Sequence, residues 1–145
     1  MFPRPLLSLF KPLRIPNKHM ATMQESPRLN VLHRPLQLHS TSPVTGYLRD
    51  GFCHAPPSDP GNHSIAAVLT PQFLKFSAEQ GNDLTSIGLT GGCKWCLCVN
   101  RWKEAVDAFR RGEIGEETVP RVVVEATGRR ALEGVVVDEL RKWEV

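Results

Sequence analysis

The chain of 145 residues has no run of about eighteen apolar residues, which excludes a membrane-spanning helix. It has no glycine at every third position and no sustained heptad, so it is neither a collagen-like fibre nor a coiled coil. It has one tyrosine and four cysteines, too few thiols for a disulfide-rich secreted scaffold of this length. The glycines at Gly88, Gly91 and Gly92 lack the Lys-Ser/Thr pair and the strand–helix setting of a phosphate-binding loop. Acid is missing from the first 24 residues, where Arg4, Lys11, Arg14 and Lys18 stand alone before Glu25.

That last absence locates the charge. The net charge of +3 comes from 18 basic and 15 acidic side chains, and setting aside the four early bases leaves 14 against 15. The rest of the chain is therefore almost neutral and has no surplus of Lys and Arg for displacing phosphate counterions, so no nucleic-acid partner is expected, nor a membrane one. Residues 1–28 read as a disordered leader or possible transit segment, basic and acid-free, although Pro3, Pro5, Pro12 and Pro16 obstruct an amphipathic helix. A soluble protein is expected, cytoplasmic, or mitochondrial if residues 1–24 act as a transit peptide. Cysteines in either compartment would be reduced.

What remains, residues 29–145, has the size of a single domain, and the chain's 41% hydrophobic content is enough for a core. Ten of the whole chain's twelve prolines fall before residue 61, so the first half is turn-rich. Ile65–Leu69 reads as a buried strand, followed by Thr70-Pro71, an N-cap with proline at the first helical position. A helix is predicted over Pro71–Gln80, closed by Gly81. Lys94–Val99 alternates as a strand, with Trp95, Leu97 and Val99 on one face and Cys96 and Cys98 on the other. Asn100 is expected to cap a second helix, Arg101–Arg111, with a stripe of Trp102, Ala105, Val106 and Phe109. A strand Arg121–Glu125, a short helix capped by Thr127, a brief strand Val135–Val137 and a terminal helix capped by Asp138 complete the prediction. Short strands and helices without regular alternation imply a compact α+β fold.

The chemistry lies in the thiols. Cys93, Cys96 and Cys98 fall within six residues. In a strand, Cys96 and Cys98 would stand about 6.5 to 7 Å apart, awkward for a mutual disulfide but suited to one metal or a shared cavity. Cys98 also precedes a helix N-terminus, whose N–H groups favour a thiolate. Zinc would need about four ligands, and Cys53, His39, His54, His63, Cys93, Cys96 and Cys98 are the available donors, without a second CxxC or HxxxH pair. Cys93-x-x-Cys96 also has dithiol spacing, but it does not open a helix. Asp50 and Asp83 read as turn residues bonding their own backbone.

The segments Thr45-Gly46-Tyr47, Arg49-Asp50-Gly51 with Cys53, Gly61-x-His63, Gly81-Asn82-Asp83-Leu84 and above all Trp95-Cys96-Leu97-Cys98-x-x-Arg101-Trp102-x-Glu104-Ala105 resemble the family named domain of unknown function 2237. The resemblance spans roughly Asn30 to Trp143 and implies a small single-domain fold with recurrent cysteine, histidine and acidic positions, without an assigned reaction. The family pattern has cysteine where His39, Phe52 and Ala66 stand, and a longer connection where Thr85–Gly92 stands here; a Cys-to-His exchange at residue 39 would suit a ligand. The site reading is a centre formed by Cys53, Cys96 and Cys98 with His63 nearby, oriented by Asp50 or Glu104. It would bind a zinc-like metal or perform thiol redox or nucleophilic chemistry. The alternative is an interaction or regulatory module whose cysteines are structural.

Overall fold

The computed structural model describes residues 26–145. The reading of the first 25 residues as leader or transit segment lies outside them. Strand β1 (Ile65–Val68) is the centre of a three-stranded antiparallel sheet, flanked by β2 (Lys94–Leu97) and the two-residue β3 (Arg121–Val122). Ile65 pairs with Leu97, Ala66 with Cys96 and Ala67 with Trp95, while Ala67 also faces Val122.

Strand alternation sorts the residues into two cores of unequal size. Ile65, Ala67, Trp95, Leu97 and Val122 point into the larger one, where they meet two helices. Helix α1 (Pro71–Glu79) begins as the sequence predicts, the Thr70 hydroxyl accepting the Phe73 N–H at 3.0 Å and Gly81 following in the left-handed conformation. It contributes Phe73 and Leu74, and helix α2 (Val99–Arg110) contributes Trp102, Ala105 and Val106. Trp102 is fully buried, its indole N–H donating to Pro120 O. On the other sheet face Ala66 and Cys96 pack with Cys53 and Ala126, and Val68, Lys94 and Arg121 continue that face toward the strand ends.

The later elements depart from their sequence predictions. Strand β3 stops after two residues, because Val124–Ala126 turns into a 3-10 helix once Val123 N–H has bonded Ala66 O. Thr127 does not cap a helix. Its hydroxyl donates to Val123 O and accepts the Ala66 N–H, tying the sheet edge, and Gly128 leads the 3-10 helix Arg129–Glu133 instead. The predicted strand Val135–Val137 is absent: Val136 stands at the N-cap of helix α3 (Val137–Arg141), and Asp138 lies in its first turn. Helix α2 starts at Val99 with Cys98, not Asn100, at the N-cap, because Val99 N–H is already taken by Asn62 O. That two-residue shift builds the site.

Candidate functional site

The β1–β2 ladder reaches its last pair at Ile65 and Leu97, and one further bond, Val99 N–H to Asn62 O at 3.1 Å, carries the pairing beyond it. The residues that enter β1 and leave β2 are thereby held side by side. Cys98 Sγ lies 2.9 Å from His63 Nε2. On the far side of the same ring, His63 Nδ1 lies 2.9 and 3.0 Å from the two carboxylate oxygens of Asp59. Cysteine, histidine and aspartate thus form a line, each in hydrogen-bonding reach of the next.

The turn Asp59-Pro60-Gly61-Asn62-His63 is folded around the carboxylate. Asp59 is fully buried and accepts the Gly61 N–H at 3.0 Å and the His63 N–H at 2.7 Å, besides the imidazole. This is the local bonding that makes aspartate a turn residue, here directed inward. Gly61 has to be glycine for space: a Cβ there would stand 2.6 Å from His63 Cε1 and 3.1 Å from Cys98 Sγ. Asn62 takes a left-handed backbone (φ 48), held by three bonds: its N–H to Asp59 O, its amide to Arg130 O, and its side-chain oxygen accepting from Ser64 Oγ. Arg130 closes the arrangement, its Nη1 donating to Pro56 O at 2.7 Å and Asp59 O at 2.6 Å.

The electrostatics follow. The bond to Cys98, and after it the Asp59 carboxylate, raises the His63 pKa to about 9 against the opposing effect of burial. Burial pushes the Asp59 carboxyl upward, but the His63 backbone and ring and the Gly61 N–H outweigh it and hold the group ionised below its ordinary range. Tyr47 stacks on the His63 ring with centroids 6.2 Å apart, and its hydroxyl donates to Ser58 O. Cys98 and His63 are both half-buried. Helix α2 has no side-chain cap at its start, and its first internal bond runs from Trp102 N–H to Cys98 O. By helix geometry the N–H groups of Asn100 and Arg101 point out of the end on which Cys98 sits.

The sequence-predicted residues separate into two groups. Cys53 and Cys96 are joined in a disulfide, Cα atoms 5.2 Å apart, buried in the smaller core beside Ala66. The expectation of reduced thiols is corrected for these two: the parallel-type bridge of Cys53 to Thr127 and the pairing of Cys96 with Ala66 bring distant segments within bonding range, which sequence spacing does not reveal. Cys98 and His63 do come together, apart from that bond. Cys93 is a second free thiol, 3.6 Å from Thr90 Oγ1.

Asp50 accepts the Phe52 N–H and pairs with Arg28, and Glu104 pairs with Arg101 on the exposed side of α2. His39 is buried with Nε2 2.9 Å from Ala67 O, and burial lowers its pKa. Among the described residues no three of His, Cys, Asp and Glu gather as metal ligands. The donors Asp59 and Cys98 sit on opposite nitrogens of one imidazole, so they do not converge on a point, as zinc requires. The sequence reading did not single out Asp59; the Asp-x-x-x-His spacing inside a Pro-Gly turn was the available signal.

A family model described as "Uncharacterized protein conserved in bacteria", domain of unknown function 2237, matches residues 29–144. No curated protein matches the chain.

Proposed function

The chain belongs to the domain of unknown function 2237 family, and from that premise we propose that Cys98 is the nucleophile of a cysteine–histidine–aspartate centre acting on acyl compounds. The observation that carries the reading is the line from Cys98 Sγ through His63 to Asp59, with hydrogen-bond spacing at both joints. A thiol nucleophile needs a base within reach and a third group that fixes the base's tautomer and orientation. His63 supplies the first and the buried Asp59 carboxylate the second.

In the reaction, Cys98 Sγ forms a bond to the acyl carbon, and the thiol proton resides on His63 Nε2. The carbonyl electron pair moves to oxygen, where the outward N–H groups of the first turn of α2 can stabilise the charge. Collapse of that intermediate expels the leaving group, which takes the proton from His63. The thioester left on Cys98 then passes to water or another acceptor, with His63 again receiving the proton. Asp59 stabilises the imidazolium throughout. Cys53 and Cys96 have a structural role in this reading, so the alternative of structural cysteines applies to that pair alone.

The test is alkylation with iodoacetamide followed by peptide mapping, with Cys93 as the internal reference thiol. Cys98 should react faster than Cys93, and His63→Ala should slow Cys98 by roughly a hundredfold, in the range of a lost acid–base partner, while leaving Cys93 unchanged. A panel of thioester and activated-ester substrates should then trap an acyl adduct at Cys98. Equal rates at the two thiols, unaffected by His63→Ala, would sink the proposal.

A further inference from the structure

A concave feature lies beside Arg130. It is a cavity of about 850 Å³ whose wall includes Arg28, His33, His54, Arg129, Arg130 and Glu133. Two chain segments far apart in sequence are laced together to make it: Asn30 bridges Gly128, and Arg129 N–H donates to Leu29 O at 2.9 Å. The backbones that carry Arg28 and Arg129 are thereby held side by side, with Arg129 itself exposed.

Bases outnumber acids on the described wall, although two of its three arginines are paired. Arg130 gives Nη1 to two carbonyls, which are neutral, and meets only the Glu133 carboxylate, at 3.3 Å. Arg28 pairs with Asp50. Among the described residues Arg129 has no carboxylate partner, and Glu133 is the sole acid on the wall. The volume is in the range of small-molecule sites, about 300 to 1,000 Å³. Guanidinium groups favour oxyanions that accept two parallel bonds.

We propose that this cavity binds a small organic molecule bearing a dianionic oxyanion head, held principally by Arg129. A phosphate ester and a dicarboxylate share that head chemistry, and inorganic phosphate and malonate are the probes that separate them. The inference is independent of the chemistry at Cys98. Its test is a titration of the full-length protein, followed by backbone amide shifts of residues 28–33 and 128–133, at ionic strength held near 0.15 M with chloride so that screening stays constant.

Saturable shifts with a Kd at or below about 10 mM are expected for one or both probes, corresponding to a few kcal/mol of binding. Arg129→Gln should weaken binding at least about tenfold, and Arg129→Lys, which keeps the charge but loses the fork, by less. Arg111→Gln, at an exposed arginine paired with Glu113 elsewhere, should change nothing. A response to phosphate alone assigns a phosphate head, and a response to malonate alone a dicarboxylate. No saturation by about 50 mM of either probe, equal shifts from added chloride, or unchanged affinity in Arg129→Gln would each overturn the proposal.

Discussion

The Cys53–Cys96 bond closes a loop with a sequence separation of 43 residues. In the chain-entropy description, cross-linking a loop of that length removes about 13 cal/mol/K from the unfolded ensemble, or about 4 kcal/mol at 25 °C. For a domain of about 115 residues the unfolding entropy near the midpoint is about 240 cal/mol/K, so loss of the bond should lower Tm by about 16 °C. Cys53 and Cys96 are 0% and 2% exposed. Reductant therefore reaches the bond only when the chain opens, and reduced protein has to be prepared by unfolding in reductant and refolding. Melts of oxidised and reduced protein give the comparison, with Cys53→Ala/Cys96→Ala as the covalent control; the alanine pair should fall somewhat further, since two buried sulfurs are also lost. Thiol counting in denaturant without reductant should find two reactive cysteines, Cys93 and Cys98. Four reactive thiols, or a Tm difference below about 4 °C, would refute the reasoning.

Two further outcomes follow from the Cys98 centre. His63 titrates at about 9 in the fold against 6.5 in the unfolded chain, so its stabilisation is complete below 6.5 and is lost as pH rises through about 9. Ring-proton shifts should show that high midpoint, and Cys98→Ala should move it down, since the sulfur is the largest cause of the elevation; an unmoved midpoint would contradict the geometry. Arg130→Met removes the donor that holds Pro56 O and Asp59 O. We expect Cys98 alkylation to slow by roughly tenfold to a hundredfold and the His63 midpoint to fall, whereas a purely structural role would lower Tm and leave the midpoint in place.

Much of the first half of the domain follows from local rules. Thr70-Pro71 and Gly81 bound α1 because capping is settled within four residues, and the alternation of Trp95, Cys96 and Leu97 assigns each to its own core. Prediction failed where a long-range bond overrode a local preference. Asn100 is a better cap than Cys98 by residue type, yet the Val99 N–H was already committed to Asn62 O, 37 positions away, and the helix began earlier. Thr127 left its predicted cap for Ala66 and Val123 for the same reason.

The candidate site divides in the same way. By itself the sequence determined an α+β domain and an almost neutral body, because composition and periodicity are carried by neighbours along the chain, and with the family resemblance it named Cys53, Cys96, Cys98 and His63 as candidates. Only the tertiary structure decided which of those residues meet. Antiparallel register set Cys96 against Ala66, the Cys53–Thr127 bridge brought Cys53 up to Cys96, and one bond past the end of the ladder put Cys98 on His63. The partner on the other side of that histidine, Asp59, became visible only when its turn closed, since burial of a carboxylate depends on donors that the fold, not the spacing, brings to it.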